Sequence, residues 1–254
     1  MKRMRHLILL LGVVATGALA QDVDATLDWS KRVALSTPAS GVVREINVVP
    51  GQRVEAGARL GQLDDRRAQA ELRRTSADVT RLKLTLEEAE REYARAEELY
   101  ERTVIAERDR QLVEIELSVA KANHTAAVAA HQRSRVDLED TRLVAPFAGI
   151  VLAVHVSPGE TISNALQVTP MVTLASDRPM LARAWVDEAV QARLEPDQAV
   201  AVRVAGDRYD GQVQTLGLEV RQGESKPRYE IVVRFTPSDK QQLRAGQAAI
   251  IELP

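Results

Sequence analysis

The chain has 254 residues with 34 basic and 36 acidic side chains, no cysteine and only 3% aromatic residues. This slightly acidic balance argues against a nucleic-acid partner, because such partners are bound by basic surfaces. The absence of cysteine excludes disulfides. The scarcity of large side chains favours an elongated assembly of small modules over one large core.

Residues 1–20 have the pattern of a secretory signal peptide. Three basic residues (Lys2, Arg3 and Arg5) precede an apolar run from Leu7 to about Gly17, and Ala18-Leu19-Ala20 fits a cleavage site. The run is shorter than the ~20 residues that span a bilayer, which favours cleavage over a retained membrane anchor. Cleavage would remove three of the 34 basic residues, and the remaining 31 against 36 acidic residues give a net charge of −5. We therefore expect an exported, acidic mature chain.

Two stretches of the chain repeat each other without a gap, so that Pro38 aligns with Pro146 at an offset of 108 residues. The first is LSTPASGVVREINVVPGQRV (Leu35–Val54) and the second is LVAPFAGIVLAVHVSPGETI (Leu143–Ile162). Alternating apolar residues predict a half-buried strand in each stretch, and a Pro-Gly pair predicts a turn. Together they predict a small sandwich made of two related halves, at 35–65 and 143–177. The residues assigned to structural turns are Gly41, Pro50, Gly51, Gly149, Pro158 and Gly159.

The segment 66–142, between the two halves, has helical periodicity and contains neither Pro nor Gly. One heptad seam is predicted at Ala68, Leu72, Thr75, Val79, Leu82, Leu86, Ala89, Tyr93, Ala96, Tyr100 and Thr103. A second seam is predicted at Leu112, Ile115, Val119, Ala122, Ala126, Ala129 and Val136. The periodicity breaks at Arg102–Asp109. We therefore expect two antiparallel helices of about 35 residues, each roughly 50–55 Å long.

The remaining segment, 178–254, has an all-β pattern with one short helix predicted at Glu188–Leu194. Five or six short strands around one helix are typical of a small β-barrel. An N-terminal strand at 21–34 is expected to contribute to it. The predicted fold class is therefore mainly β with a long α-helical hairpin.

In this order the segments resemble the periplasmic adaptor subunits, or HlyD-like membrane fusion proteins, of tripartite efflux pumps, most closely the resistance–nodulation–division type. The resemblance is carried by PASGVVREINVVPGQRVEAGARLGQLD, APFAGIVLAVHVSPGETI and LRAGQAAIIEL. It implies a lipoyl-like β-sandwich that is split by an antiparallel coiled coil and followed by a β-barrel. It also implies a structural protein without catalytic residues, cofactor or metal.

The resemblance further implies a periplasmic location, peripheral to the inner membrane. Several copies, commonly six, would form a sealed duct between an inner-membrane transporter and a TolC-like outer-membrane channel. The hairpin tip of many such adaptors carries the pattern R-x3-L-x6-S, which contacts the channel. Here Arg95 and Leu99 match it, but Ala106 takes the Ser position. We expect channel docking at Arg95, Leu99, Arg102 and Ala106.

Two departures from the family pattern have consequences. A Ser at position 106 would cap the second helix, so Ala106 should weaken that helix start by roughly 1 kcal/mol, and Asp109 should offset part of the loss through the helix dipole. Many adaptors also have a membrane-proximal β domain built from segments outside the sandwich and barrel. We expect this domain to be absent here, which would leave the transporter contact to the barrel or indicate a different type of transporter as the partner.

Other functions fit the residues less well. Lipoyl and biotinyl carriers have a modifiable Lys where the hairpin is inserted here, and no Lys lies between Val54 and Thr80. His124 and His131 are seven residues apart, and we assign them to a solvated helix face outside the seam rather than to a metal site. The main alternative to an adaptor is a periplasmic coiled-coil scaffold or small-ligand-binding module that is not tied to a pump.

Overall fold

The computed structural model describes residues 21–164, 168–221, 226–238 and 242–254; the predicted signal peptide lies outside these ranges. The chain forms two compact units, one comprising Lys31–Ser176 and the other comprising the residues up to Ser30 together with Asp177–Pro254. The elements in chain order are β1 (Gln21–Leu35), β2 (Gly41–Ile46), β3 (Arg53–Val54), β4 (Arg59–Leu63), α1 (Arg66–Glu101), α2 (Glu107–Glu139), β5 (Arg142–Val144), β6 (Gly149–Val154), β7 (Thr161–Ile162), β8 (Val172–Val186), α3 (Glu188–Gln191), β9 (Ala199–Val204), β10 (Asp207–Val220), β11 (Tyr229–Phe235) and β12 (Ala248–Leu253). The predicted fold class, mainly β with a long helical hairpin, is confirmed.

The β sandwich of the unit Lys31–Ser176 is built by exchange of strands between the two sequence halves. Gly41 of β2 pairs with Ile162 of β7, and Val54 of β3 pairs with Gly149 of β6. These two pairs are equivalent under the 108-residue offset of the repeat, so each half contributes the same strand edge to the other. Side chains from both halves form one buried core, which includes Val43, Leu60, Val151, Ile162 and Leu174.

The second unit is a six-stranded barrel. Its strands follow the order β1-β12-β9-β10-β11-β8, and an additional pairing between β1 and β8 closes the sheet. The core contains Leu27, Met180, Val202, Ile231 and Ile251. The helix predicted at Glu188–Leu194 is shorter than expected and ends at Gln191. Its start is capped by Asp187, whose side chain accepts a hydrogen bond of 2.8 Å from the backbone N–H of Val190.

The hairpin consists of α1, with 36 residues, and α2, with 33. The seam predicted on α1 is confirmed along most of its length, because its members from Ala68 to Ala96 are buried or half-buried. Tyr100 and Thr103, at the end near the turn, are exposed. Ion pairs between residues three or four apart cover the remaining faces of α1 and support the isolated helix.

The seam predicted on α2 is wrong, since all of its members are exposed. The side that faces α1 carries a different heptad row, at Val113, Leu117, Ala120, His124, Ala127, His131, Ser134 and Leu138. This row has the same alternating spacing of three and four residues but fewer large apolar side chains. Small side chains at Ala120, Ala127 and Ser134 allow the helices to approach closely, and Leu138 is buried at the base. The predicted seam also contains three small residues, Ala122, Ala126 and Ala129, so small size alone does not distinguish the two rows.

Candidate docking surfaces on the helical hairpin

The tip of the hairpin is a tight turn between α1 and α2. Thr103 adopts a left-handed conformation with φ of 60°, and the N–H of Val104 donates a 2.9 Å hydrogen bond to the carbonyl oxygen of Leu99. Ala106 has an extended backbone at the N-cap of α2 and provides no side-chain cap. Acidic residues in the first turn, Glu107 and Asp109, interact favourably with the helix dipole instead.

The four residues predicted to dock onto a channel have different environments at this tip. Arg95 and Arg102 are exposed, and each guanidinium lies 2.6 Å from a carboxylate of its own helix, Glu92 and Glu98 respectively. Leu99 is half-buried, whereas Ala106 is exposed. Helical spacing of four and three residues places Arg95, Leu99 and Arg102 on one side of the last turns of α1.

The sequence analysis missed Val104 as a candidate contact. It lies in the turn itself, and 65% of it is exposed, more than any other described large apolar residue of the hairpin. The sequence indicates only a break in helical periodicity at Arg102–Asp109, which does not single out Val104. Nearby, the Arg110 guanidinium lies 5.5 Å from the centre of the Tyr100 ring. Burial alone would lower the pKa of Arg110, but the attraction of Glu114 and Tyr93 outweighs it and raises the pKa.

A second candidate surface is the outer face of α2, which we define as Leu112, Ile115, Val119, Ala122, Ala126, Ala129 and Val136. Its members repeat at alternating intervals of three and four residues on the side of α2 opposite α1, except that the exposed Arg133 occupies the position between Ala129 and Val136. Ile115 is 59% exposed and Val119 is 53% exposed. The flanking residues are mostly uncharged, among them Gln111, Ser118, Asn123 and Thr125. The outer face thus has the composition of a coiled-coil seam without a partner from its own chain.

The outer side of α1 carries a narrower apolar row in the half of the helix near the base. Ala70, Ala77 and Leu84 are exposed and seven residues apart, on the side of α1 that faces away from α2. Towards the tip the row continues as Arg91 and Glu98, both in intrahelical ion pairs. The half of α1 near the base is therefore the part that can receive an apolar helix face.

The histidines lie elsewhere than expected. His124 and His131 are half-buried in the seam that faces α1, so their assignment to a solvated face is wrong. The Nδ1 atom of His131 lies 3.2 Å from Thr75 Oγ1 of α1. In the β sandwich, His155 Nε2 lies 2.8 Å from Thr173 Oγ1. Among the described residues, no group of three or more His, Asp or Glu side chains is arranged to hold a metal ion.

The residues assigned to structural turns separate into two kinds. Both Pro-Gly pairs form turns, and Gly51 and Gly159 have φ of 86° and 92°, which favours glycine. Gly41 and Gly149 are instead the first residues of β2 and β6. A Cβ atom at Gly149 would lie 2.2 Å from the carbonyl oxygen of Ala175, so close strand packing requires glycine there.

Residues 31–173 match the CzcB-like, barrel-sandwich hybrid domain. The chain belongs to this family. The match extends over the β sandwich and the inserted hairpin, and it confirms the resemblance to membrane fusion proteins that the two half motifs indicated. Within the part of the chain that the structure describes, none of the helices combines the length and apolar character needed to cross a bilayer.

Similar proteins are export components. The chain is 29% identical over 223 residues to the macrolide export protein MacA of Escherichia coli O157:H7, covering 80% of this chain and 60% of that protein. It is 27% identical over 223 residues to the pyoverdine export membrane fusion protein PvdR of Pseudomonas aeruginosa PAO1, covering 80% of this chain and 57% of that protein. The chain thus spans about 60% of the length of the relatives it matches.

A solved structure has the same fold. The membrane fusion protein Spr0693 of Streptococcus pneumoniae R6 superposes with a TM-score of 0.70 at 17% identity, and the match covers 92% of this barrel-sandwich hybrid chain and 98% of Spr0693. The relatives form a non-enzymatic family of efflux adaptors. This agrees with the expectation of a structural role without catalysis.

Proposed function

We propose that this protein is a periplasmic adaptor of an efflux pump, which connects an inner-membrane transporter to a TolC-like outer-membrane channel. The observation that carries the proposal is the pair of long helices inserted between interlocked sandwich halves, in a family whose relatives include export proteins. The hairpin extends for about 36 residues, roughly 54 Å, from its sandwich. Such a length suits a subunit that connects two separated proteins and does not catalyse a reaction.

Several copies, six as the family resemblance implies, would stand side by side with their hairpins parallel. The outer face of α2 supports this arrangement, because an apolar heptad row is stable in water only when another surface covers it. We propose that the part of this face near the base, with Ala126, Ala129 and Val136, packs against the row Ala70, Ala77 and Leu84 of the neighbouring copy. Each copy would then use two different surfaces, and such heterologous contacts close into a ring.

The tip would contact the channel through Arg95, Leu99, Arg102 and Ala106, with Val104 as an additional apolar contact. Exposure of both arginines and of Val104 supports this assignment. Helix-against-helix docking needs a small apolar centre within a polar rim, and the tip provides both. The proposed location is the periplasm, reached after cleavage of the signal peptide and peripheral to the inner membrane.

The test is affinity capture of the full-length protein from detergent-solubilised membranes, followed by identification of bound proteins and by an export assay in a deletion strain. The adaptor proposal expects one inner-membrane transporter and one outer-membrane channel, together with loss of export in the deletion strain. Capture of neither protein, with export unchanged, would contradict it and favour the coiled-coil scaffold. An intact mass of the captured protein that corresponds to a chain starting at Gln21 would support export by a cleaved signal peptide.

A further inference from the structure

The base of the hairpin contains a buried carboxylate with no role in the surfaces described above. Asp65, directly before α1, is only 2% exposed. A buried carboxylate lowers stability unless several hydrogen bonds replace its lost hydration. The donors of these hydrogen bonds show which elements of the fold Asp65 connects.

Three side chains from three elements donate hydrogen bonds to Asp65. Gln62 Nε2 of β4 lies 2.6 Å from Oδ2, and Gln69 Nε2 of α1 lies 2.7 Å from the same oxygen. Arg44 Nη1 of β2 lies 3.3 Å from Oδ1. Gln62 is itself buried, and its Oε1 accepts a hydrogen bond of 3.3 Å from Arg59 Nη1. The carboxylate therefore joins the first turn of α1 to two strands of the sandwich.

Asp65 makes these contacts instead of the usual local one. It occupies the N-cap position of α1, where an Asp side chain normally accepts from a backbone N–H of the first turn, yet it makes no such bond. The carboxylate of the preceding residue, Asp64, accepts hydrogen bonds only from the Arg66 backbone and guanidinium among the described contacts, and Arg44 acts on it through its charge alone. The hydrogen bonds of the Asp64 carboxylate therefore stay within two residues, whereas those of the Asp65 carboxylate connect α1 to β2 and β4.

Backbone hydrogen bonds attach each helix to the sandwich two residues outside the end of the helix. Beyond the end of α2, the carbonyl oxygen of Thr141 accepts a 2.9 Å backbone hydrogen bond from Leu63 of β4. At α1, the last backbone bond to a strand runs from Asp64 N to the carbonyl oxygen of Val42, before the helix begins. Within α1 itself, Gln69 is bonded to Asp65 through its side chain. α1 therefore has a side-chain connection to the sandwich in addition to a backbone attachment like that of α2.

We propose that Asp65 is a positioning residue that fixes the direction in which α1, and with it the hairpin, leaves the β sandwich. Donors from β2 and β4 hold the carboxylate in place, and Gln69 ties the helix to it. Tilting α1 relative to the sandwich would lengthen at least one of these hydrogen bonds and leave a buried polar atom without a partner. The exposed Arg44 side chain supplies the compensating charge.

The proposal is tested on the purified full-length protein by double electron–electron resonance. The chain has no native cysteine, so Val49→Cys in the sandwich and Ala94→Cys on α1 label two exposed sites. Ala94 lies 28 residues along the helix from Arg66, a lever of roughly 42 Å that magnifies any tilt. The original protein should give one narrow distance distribution.

Asp65→Ala should shift and broaden this distribution, whereas the matched control Asp64→Ala should leave it unchanged. Gln69→Leu, which removes only the helix arm of the cluster, provides the same test if Asp65→Ala does not fold. Unchanged distributions for every folded variant of Asp65 and Gln69 would overturn the proposal, as would equal broadening by Asp64→Ala.

The consequence for export rests on the proposed function, but the spectroscopic test does not. If the protein is an adaptor, Asp65→Ala should reduce export while the protein is still produced and captured with its transporter. Broadened distances with unchanged export would contradict the adaptor function and leave the positioning role of Asp65 intact. Unchanged distances, together with capture of a transporter and a channel, would contradict the positioning role of Asp65 and support the adaptor function.

Discussion

Thr75 Oγ1 of α1 lies 2.7 Å from Ser134 Oγ of α2 in the interior of the hairpin, where both residues are only 3% exposed. His131 Nδ1 lies 3.2 Å from the same Thr75 oxygen. Each hydroxyl also lies within hydrogen-bond distance of a carbonyl oxygen of its own helix, Glu71 for Thr75 and His131 for Ser134. The layer is therefore polar but satisfied, within a seam that is otherwise mostly apolar.

Removing both hydroxyls of this layer should cost less than the sum of the two single removals. Thr75→Val leaves Ser134 and His131 without their cross-helix partner and should lower the free energy of unfolding by about 1–2 kcal/mol. The double variant with Ser134→Ala should lose less than the sum of the two single losses, because neither hydroxyl is then left buried without its cross-helix partner. Urea unfolding, monitored by the circular dichroism signal of the helices, gives the free energy of unfolding for the original protein, the two single variants and the double variant. Strict additivity would show that the two hydroxyls are not coupled.

The equivalent glycines of the repeat should respond differently to the same substitution. Gly149→Ala places a Cβ 2.2 Å from the Ala175 carbonyl oxygen, whereas Gly41→Ala meets only Leu63 side-chain atoms at 3.7 Å or more. We expect Gly149→Ala to destabilise the sandwich by about 3 kcal/mol and Gly41→Ala by under about 1 kcal/mol. Soluble yield and thermal unfolding check this, and equal effects would contradict the packing explanation.

Neighbouring hairpins should cross-link through the outer face of α2. Because Thr75 is level with Ser134, Ala77 and Ala129 lie at about the same height on opposite outer sides of one hairpin. The double variant Ala77→Cys and Ala129→Cys should form a ladder of disulfide-linked oligomers under mild oxidation in the periplasm. The control pair Ala77→Cys and Leu112→Cys uses the same faces but is offset by 17 residues, roughly 25 Å. A ladder from the control alone would refute the proposed register.

Substitutions at the tip should abolish export without affecting folding. Leu99→Asp, Arg95→Glu and Val104→Asp each place a negative charge on the proposed channel contact. Arg81→Glu is the matched control, because Arg81 occupies the same heptad position two repeats before Arg95 and is also paired to a carboxylate three residues earlier. A drug-susceptibility assay in the deletion strain provides the readout. The docking hypothesis fails if the tip variants export as well as the control.

The Asp64 carboxylate should titrate at unusually low pH. Hydrogen bonds from the Arg66 side chain, and then from its backbone, lower the pKa of Asp64 from 3.8 to about 2. Because the pKa of Asp64 is lower in the folded state than in the unfolded state, the ionised carboxylate stabilises the folded state above pH 3.8. This contribution is lost as the pH falls from 3.8 towards about 2. Carboxyl NMR titration should show a midpoint near 2 that Arg66→Gln returns towards 3.8. Insensitivity of the midpoint to this substitution would contradict the assignment.

Much of the fold could be predicted because it depends on patterns that are local in the chain. The repeat at offset 108 predicted the two sandwich halves, and the structure pairs Gly41 with Ile162 and Val54 with Gly149 in equivalent positions. The α1 seam could be predicted because that helix has one strongly apolar row. The tip pattern located Arg95 and Leu99, but it gave no indication of Val104, whose exposure depends on the geometry of the turn.

The sequence by itself thus determined the order of modules, the helices and the family to which the chain belongs. Only the tertiary structure decided which side of α2 faces α1, because this helix carries two heptad rows and periodicity cannot rank them. The more apolar row lies outside, and the row with Ala120, Ala127 and Ser134 faces α1, where Ser134 meets Thr75. Tertiary structure likewise assigned Asp65 its three partners, because hydrogen bonds between distant elements depend on how strands and helix meet in space.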